Sequence, residues 1–582
     1  MMNRPSVNLD TPKNSYNLRI FLLLSALTLF IIFMVLRMFN LQILSHAYYK
    51  NIANNQHGST FSLTPNRGEI FLTTLSGNPV LVATNVTKNM VYAVPKEVTD
   101  EKDTANKLAK LLELDAKEIV SKLSGDGSFV MIKKQIEDDT AKKLEGLKLK
   151  GIYMQEQDVR LYPEKDLAAQ VIGFLGYDSK DRDKRVGQYG IEGKYDKQLA
   201  GNTGVLDADT DPLGRWITTA SRSFVPAADG DDIYLTIDPT IQFKAEEILK
   251  STLSANQADQ GTIVVINPKT GAVMAMANVP EFDLNNYGKV ESPFVYNNNA
   301  LIADYEPGSV FKPLTLAAAM NERKITPQTT YKDEGQIQID DKIIKNSNPV
   351  PLGEQNMIQV LVESLNTGAV FAEQQIGNDT FKKYLQRFGF GKPVDVDLPG
   401  QAAGNLKNLD RKGDIFFATA SYGQGITATP LQLVQAYTAL ANGGKMMTPY
   451  IVNKIVHDDG SENMPRPQTG KQVLDVQTAA QISAMMVDVV ENGHGKRAAV
   501  PGYYIAGKTG TAQVASKDKS GYDPNMNIGT FIGFGPRENP QFLALVRIDN
   551  PKNVNFAETT AAPAFGQLAS FILNYLQVPP TR

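Results

Sequence analysis

Between Ile20 and Leu36 the sequence IFLLLSALTLFIIFMVL runs for 17 residues without a charge. At about 1.5 Å of rise per residue, a helix of this length crosses the hydrocarbon of a bilayer once Met38 and Phe39 extend it. Arg37 can snorkel at the far edge. A run of this length reads as a candidate membrane span, so residues 18–40 are set apart from the rest of the chain. Arg4, Lys13 and Arg19 stand before the run or at its start against a single Asp10. The excess of positive charge predicts a cytoplasmic tail over residues 1–17 and an extracytoplasmic location for everything after residue 40. The residues that follow, RMFNLQIL, offer no small-residue cleavage site, so the segment reads as an uncleaved single-pass anchor in the cell membrane.

The chain of 582 residues is too long for one core and predicts two or three domains. A hydrophobic share of 42% excludes a disordered chain, and a net charge of -3 gives no footprint for nucleic acid. With no cysteine, thiol catalysis and Cys-ligated metals are excluded. The four histidines, His46, His57, His457 and His494, form no metal-binding pattern, and no cofactor is expected. Any transfer chemistry must rest on Ser, Lys, Asp, Glu or Tyr.

The Pro/Gly/Asp-rich stretch FVPAADGDD, residues 224–232, marks a domain boundary. It separates a mixed α/β region over 41–230, with a helical pattern at 104–123, from a second domain over 231–582. The second domain opens with a strand, IYLTID. A helix follows with Asp238 as N-cap, Pro239 at its first position, and Ile241, Ala245, Ile248, Leu249 and Leu253 on its apolar face. TIVVIN and AVMAMANV then pair as a hairpin through PKTG. Strands flanked by apolar helices without strict alternation predict an α+β fold with an antiparallel sheet.

Three short motifs carry the chemistry. S-x-x-K occurs at Ser309–Lys312 (SVFK) and at Ser516–Lys519 (SKDK), and context separates the two. Ser309 follows Glu306-Pro307-Gly308 and precedes a strong helix former, which puts it at a helix N-terminus with Lys312 beside it on the same face. A lysine kept neutral by burial there can take the serine's proton. The plainer alternative is an N-cap serine beside a solvated lysine. Ser516 lies in a charged loop and reads as decoration. Ser364-Leu365-Asn366 breaks two apolar helical pieces, and an extended break would aim both polar side chains into one cleft. A helix cap reads equally well from the residues alone. K-T-G occurs at Lys269, in the hairpin turn, and at Lys508, in the apolar run YYIAGKTGTAQV. The second copy also sits in GYYIAGKT, which satisfies the P-loop pattern G-x-x-x-x-G-K-T. A P-loop requires a strand before it and a helix after it. Here a polar, proline-ended segment precedes and a polar loop follows, and FLALVRID (542–549) with its terminal Asp549 is the strongest feature in its favour.

With YEPGSVFKP, SLN and AGKTGTAQ in that order, the sequence resembles the class B penicillin-binding proteins, the division type most closely. These are membrane-anchored D,D-transpeptidases of bacterial cell-wall synthesis. NPKTGAVMAMA, YGQGITATPLQL and FIGFGP resemble the family's connecting segments, and NRGEI, RLYPEKDLAAQVIGFLG and YGIEGKYDKQLAGNTG its N-terminal pedestal. The chain departs from the family pattern after Arg67-Gly68-Glu69-Ile70, where FLTTLSGN replaces the usual turn. The resemblance implies a pedestal of dimerisation type over 41–230 and a penicillin-binding transpeptidase domain over 231–582. It implies Ser309 as nucleophile, Lys312 as general base, Ser364 as proton relay and Lys508 as the source of positive potential. Asn366, Thr509, Gly510 and Thr511 would bind substrate, with the N–H groups of Ser309 and Thr511 as oxyanion hole. The implied ligands are peptidoglycan stem peptides and β-lactam antibiotics. The implied partners are a polytopic membrane glycosyltransferase and other cell-wall synthesis proteins. A β-lactam sensor or a serine β-lactamase on the same fold is the alternative.

Overall fold

The computed structural model of the chain describes residues 14–50, 58–125, 127–181, 184–209, 222–464, 470–515, 521–553 and 556–582. It resolves into two compact units. One comprises Met1–Pro65 with Asn202–Ala228, the other Asn66–Gly201 with Asp229–Arg582.

In the first unit, α1 (Asn14–Phe39) carries the apolar run. Within Asn17–Leu44 an 18-residue stretch reaches a mean hydropathy of 2.6 and none of that stretch is buried by protein, so the helix meets the length and composition of a single membrane span. Arg4, Asp10 and Lys13, which bear on the direction of crossing, lie outside the described residues. The same unit holds an antiparallel sheet of Gly58–Leu63, Gly204–Asp209 and Arg222–Val225.

The second unit begins with β1 (Ile70–Thr73) and the long β2 (Pro79–Ala93). The helical pattern at 104–123 forms two helices rather than one, α2 (Glu101–Leu112) and α3 (Ala116–Leu123). Glu113 turns left-handed at φ 56, and Asp115 caps the new start by accepting from the Lys117 N–H, so local capping outweighs continuous apolar periodicity. Leu108, Leu112, Ile119 and Leu123 bury against β3 (Val130–Ile136) and the neighbouring strands. Strand β4 (Ile152–Leu161) pairs along β2 from Thr84 to Ala93. The sheet does not stop at the Pro/Gly stretch. Strand β5 (Asp232–Leu235) runs parallel to β1 and antiparallel to Val452–Val456, so strands from both sides of residue 230 share one ladder. Beneath it, Arg67 of NRGEI, Arg160 of RLYPEK and Glu192 of YGIEGKYD meet. The buried Glu192 carboxylate accepts from Arg67 at 2.6 Å and Arg160 at 2.8 Å. Burial raises that carboxyl's pKa, but the two guanidinium groups outweigh it and hold the group ionised.

Asp238 caps α4 (Pro239–Asn256) through the Thr240 and Ile241 N–H groups, with Pro239 in its first turn and Ile241, Ala245, Ile248, Leu249 and Leu253 buried. Strands β6 (Gln260–Ile266) and β7 (Val273–Val279) form the hairpin. The chain continues through α5 (Lys312–Asn321), α6 (Met357–Val362) and α7 (Asn366–Ile376) to β8 (Ala506–Ala515), β9 (Tyr522–Gly535), β10 (Phe542–Asp549) and α8 (Ala561–Tyr575). The five strands make one antiparallel sheet in the order β7-β6-β10-β9-β8. Its inner strands are buried on both faces, which explains their unbroken apolar sequences. Ile263 and Val265 pack with α4 and α8, while Val264 and Ile266 join the larger core that contains α5. Strand β8 lies at the edge, with its outer side free of any partner strand among the described residues.

Candidate active site

The nucleophile candidate sits where a turn tightens into a helix. Gly308–Phe311 form one 3-10 turn that runs straight into α5, and Pro313 occupies the first turn, where it displaces no helical hydrogen bond. Gly308 adopts φ 59, a left-handed conformation that favours glycine. Its N–H donates to the Gly423 carbonyl at 3.0 Å, and a Cβ on Gly423 would meet the Gly308 oxygen at 2.3 Å. The turn is thus held from behind by the loop at Tyr422–Gly425. The buried Tyr437 O–H donates to the Val310 carbonyl and pins the same turn.

The i, i+3 spacing does what helical geometry requires. Lys312 Nζ lies 3.0 Å from Ser309 Oγ. It also lies 3.2 Å from Ser364 Oγ and donates to the Ser364 carbonyl at 2.5 Å. From the far side, Lys508 Nζ reaches Ser364 Oγ at 3.0 Å and the Thr509 carbonyl at 3.1 Å. Two lysines at 0% exposure therefore share one serine hydroxyl. Burial forces the Lys312 pKa well below the usual lysine range, and the Lys508 charge pushes it further down. Burial brings Lys508 down to about 7. A buried lysine held neutral exposes a lone pair to the serine proton.

The serine between the lysines is aimed by an unusual backbone. Ser364 adopts φ 56, so the break between α6 and α7 is a left-handed turn and not the extended link expected. The consequence is a parting of the two side chains. Ser364 points its hydroxyl to both lysines, whereas Asn366 starts α7 and donates from Nδ2 to the Lys345 carbonyl at 2.8 Å. The α7 N-terminus is satisfied by a residue just past the strand Lys342–Lys345. Asn346 Oδ1 accepts from the Asn366 and Thr367 N–H groups at 2.8 and 3.1 Å. Asp333 holds both Asn346 and Thr367 in place at 2.9 and 2.7 Å.

Lys508, Thr509, Gly510 and Thr511 follow one another on β8, as the apolar run predicts. Gly510 is a packing requirement. A Cβ there would stand 2.9 Å from Val310 Cγ1 and 3.0 Å from the Pro307 carbonyl, so glycine lets the edge strand approach the turn of Ser309. Thr511 is exposed at that edge, and its Oγ1 accepts from the Ala557 N–H at 3.3 Å. The P-loop reading fails on geometry. GYYIAGKT enters a strand where a phosphate loop would open a helix, and Asp549 is engaged by Arg547 at 2.7 and 2.9 Å. Ser516 and Lys519 lie outside the described residues. Glu306, Asn346, Asp333 and Tyr437 escape the motif reading, since their partners are remote in sequence and no local pattern marks them.

Comparison with known proteins finds two domain models along the chain. The penicillin-binding protein transpeptidase domain model matches residues 261–570, and the penicillin-binding protein dimerisation domain model matches residues 62–235. Stage V sporulation protein D of Bacillus subtilis is 34% identical over 540 residues, covering 91% of this chain and 82% of that protein. A probable peptidoglycan D,D-transpeptidase of Pseudomonas aeruginosa is 30% identical, covering 94% of this chain and 93% of its own. The crystal structure of penicillin-binding protein 3 from Mycobacterium tuberculosis in complex with aztreonam superposes with a TM-score of 0.69 at 26% identity, covering 90% of this chain and 98% of that one. With both domain models matched in order and the serines and lysines of the three motifs gathered in one hydrogen-bonded cluster, this chain belongs to the penicillin-binding transpeptidase family.

Proposed function

We propose that the protein is a serine-type peptidoglycan D,D-transpeptidase, acylated and inhibited by β-lactams, and that Ser309 is its nucleophile. The observation that carries the assignment is the 3.0 Å contact between Ser309 Oγ and a fully buried Lys312 whose pKa is forced well down. Ser309 gives its proton to Lys312 Nζ as Oγ attacks the carbonyl of the penultimate D-alanine. The N–H groups of Ser309 and Thr511 stabilise the resulting oxyanion, which is usually the largest single catalytic contribution. Collapse of the tetrahedral intermediate breaks the peptide bond. The proton passes from Lys312 through Ser364 Oγ to the leaving amine of the terminal D-alanine, along the 3.2 Å contact. An amine of a neighbouring stem peptide then attacks the acyl-enzyme, returns its proton by the same route and releases Ser309. This forms a 3-4 type crosslink.

Lys508 supplies positive potential, and Thr509 and Thr511 take the terminal carboxylate. Gly510 keeps the strand close to the turn, and Asn366 hydrogen-bonds the substrate backbone. A substrate lying along the free edge of β8 adds itself as a further strand. No metal or cofactor enters these steps. The assignment of residues 41–230 to a pedestal and 231–582 to the transpeptidase domain belongs to the same proposal. So does an anchor with a cytoplasmic N-terminus and an extracytoplasmic catalytic domain, presented to a polytopic glycosyltransferase. Mass spectrometry of a digested penicillin adduct tests the core of it. The adduct is expected on the EPGSVFK peptide, and an adduct on the SKDK peptide overturns the assignment.

A further inference from the structure

Within the second unit, a cavity of about 430 Å³ is lined by residues from 170–190, 296–302 and 398–400. Its volume falls in the usual range of small-molecule sites, about 300–1,000 Å³. None of its lining residues belongs to β8 or to the turn of Ser309, and none carries a charged side chain. Leu301 and Leu398 make one part of the lining apolar. Tyr189 and Tyr296 make another part aromatic, with ring centres 5.2 Å apart.

The Tyr189 ring is presented by a strained backbone. The residue adopts φ 56 and ψ 177, a region that belongs almost wholly to glycine. The Gly193 N–H donates to the Tyr189 carbonyl at 2.6 Å, and a Cβ on Gly173 would stand 2.3 Å from the same oxygen, so packing from two sides fixes this conformation. Glycine would relieve the strain. The tyrosine instead leaves 38% of its surface exposed, and its hydroxyl has no hydrogen-bond partner among the described residues. Carboxamides of the lining keep polar atoms free as well. Gln170, only 4% exposed, donates from Nε2 to the Pro280 and Val295 carbonyls at 3.0 Å each, and its Oε1 is left without a partner among the described residues. Gln188 donates to the Tyr177 carbonyl at 2.8 Å and likewise keeps its Oε1. The half-buried Asn297 side chain makes no hydrogen bond among the described residues.

Rings and carboxamides without a charge suit a neutral ligand that has both an apolar face and amide groups. An N-acetylated hexosamine has both. Its ring offers a face of C–H bonds that stacks on an aromatic side chain, and its acetamido group brings one N–H donor and one carbonyl acceptor. We infer that this cavity binds the N-acetylhexosamine strand of the cell-wall polymer, with Tyr189 as stacking platform and Gln170 and Asn297 as partners of the acetamido group. The identity of the polymer rests on the transpeptidase reading above, since stem peptides are carried on such strands. A strand held here raises the local concentration of stem peptides at the enzyme.

The probe is chitotetraose, a neutral N-acetylglucosamine tetramer free of peptide, titrated into the full chain in a detergent without sugar headgroups. Ligand-observed NMR reads the dissociation constant, and penicillin acylation of Ser309 is measured on the same samples. Chitotetraose is expected to saturate the unaltered protein. Cellotetraose, which lacks the acetamido groups, is expected to bind roughly 5- to 10-fold more weakly. Tyr189→Gly removes the ring and relieves the backbone, so it should weaken chitotetraose binding roughly 10-fold while acylation persists. Asn297→Ala should weaken it roughly 5-fold and serves if the first variant does not fold. No saturable binding by unaltered protein that penicillin still acylates overturns the subsite alone. An affinity unmoved by both substitutions, or equal binding of cellotetraose, overturns it too. If penicillin fails to acylate Ser309 in protein that binds chitotetraose, the transpeptidase reading falls, and with it the assignment of the sugar to the cell-wall polymer.

Discussion

The tripeptide Lys-Thr-Gly occurs twice, and the two copies live in opposite environments. Lys269-Thr270-Gly271 caps the β6–β7 hairpin, where Lys269 is exposed and reaches the Asn539 carboxamide. Lys508-Thr509-Gly510 lies on the edge of the central sheet, with Lys508 at 0% exposure against Ser364. Even the glycines are required for different reasons. Gly271 adopts φ 87, and a Cβ there would stand 2.3 Å from the Thr448 carbonyl, so its role is backbone conformation. Gly510 has no such φ and makes room for the turn of Ser309. Identical residues acquire different chemistry because burial, and not identity, sets the charge state of a lysine.

The largest effect expected lies with Lys312, which shares the buried environment of the second copy. Lys312→Ala is expected to slow penicillin acylation by about 10²–10⁴-fold, the usual share of a general base. The pH profile sharpens this. The reactive form of Lys312 is the neutral one, so acylation should fall as pH drops through its depressed pKa and level off above it. Stopped-flow acylation across pH 5–9 would measure this. A rate that rises as pH falls would contradict the role of Lys312 as base.

A smaller effect of opposite sign on activity and stability is expected at Lys508. Its folded pKa, about 7, lies below that of the unfolded chain. Between these two values the unfolded state binds a proton that the folded state does not, so stability rises with pH across the window. At lower pH the protein carries the full cost of a buried charge. Lys508→Met removes that cost and is expected to raise the unfolding free energy near neutral pH by on the order of a few kcal/mol. It is also expected to weaken acylation, since the positive potential is lost. Denaturant titration at pH 6, 7.5 and 9 checks both the sign and the flattening of the pH dependence. A variant less stable than the parent at every pH would show that Lys508 is not a strained charge.

The smallest effect belongs to the first copy. Lys269→Met should change stability by less than about 0.5 kcal/mol, as is usual for a surface site, and should leave acylation within twofold of the parent, about the scatter of such measurements. Any large loss of labelling would erase the contrast between the copies.

Much of this architecture is legible along the chain because the forces involved are local. The anchor follows from 17 uncharged residues, and the α4 boundary from Asp238-Pro239, whose cap and first position are where the pattern puts them. Ser309 and Lys312 meet because a helical turn brings i and i+3 together. Where local rules compete, the reading weakens. The pattern at 104–123 is continuous in hydrophobicity, yet Glu113 and Asp115 break it. The sheet that joins β1 to β5 and Val452–Val456 leaves no signature, since pairing between remote strands depends on which surfaces bury together.

The sequence by itself determined which residue types could act, the order of the motifs, and the one pair that helical spacing holds together. Tertiary structure decided the rest of the site. Ser364 lies 52 residues from Lys312 and 144 from Lys508, and only the packing of α5, α7 and β8 brings the three within 3.2 Å. The left-handed turn at Ser364 aims its hydroxyl at the lysines and leaves Asn366 tied to Lys345. Burial, which exists only once the sheet and helices close, converts two ordinary lysines into groups with depressed pKa values. A charge state is a property of the dielectric around a group, and no local stretch of sequence contains its own surroundings.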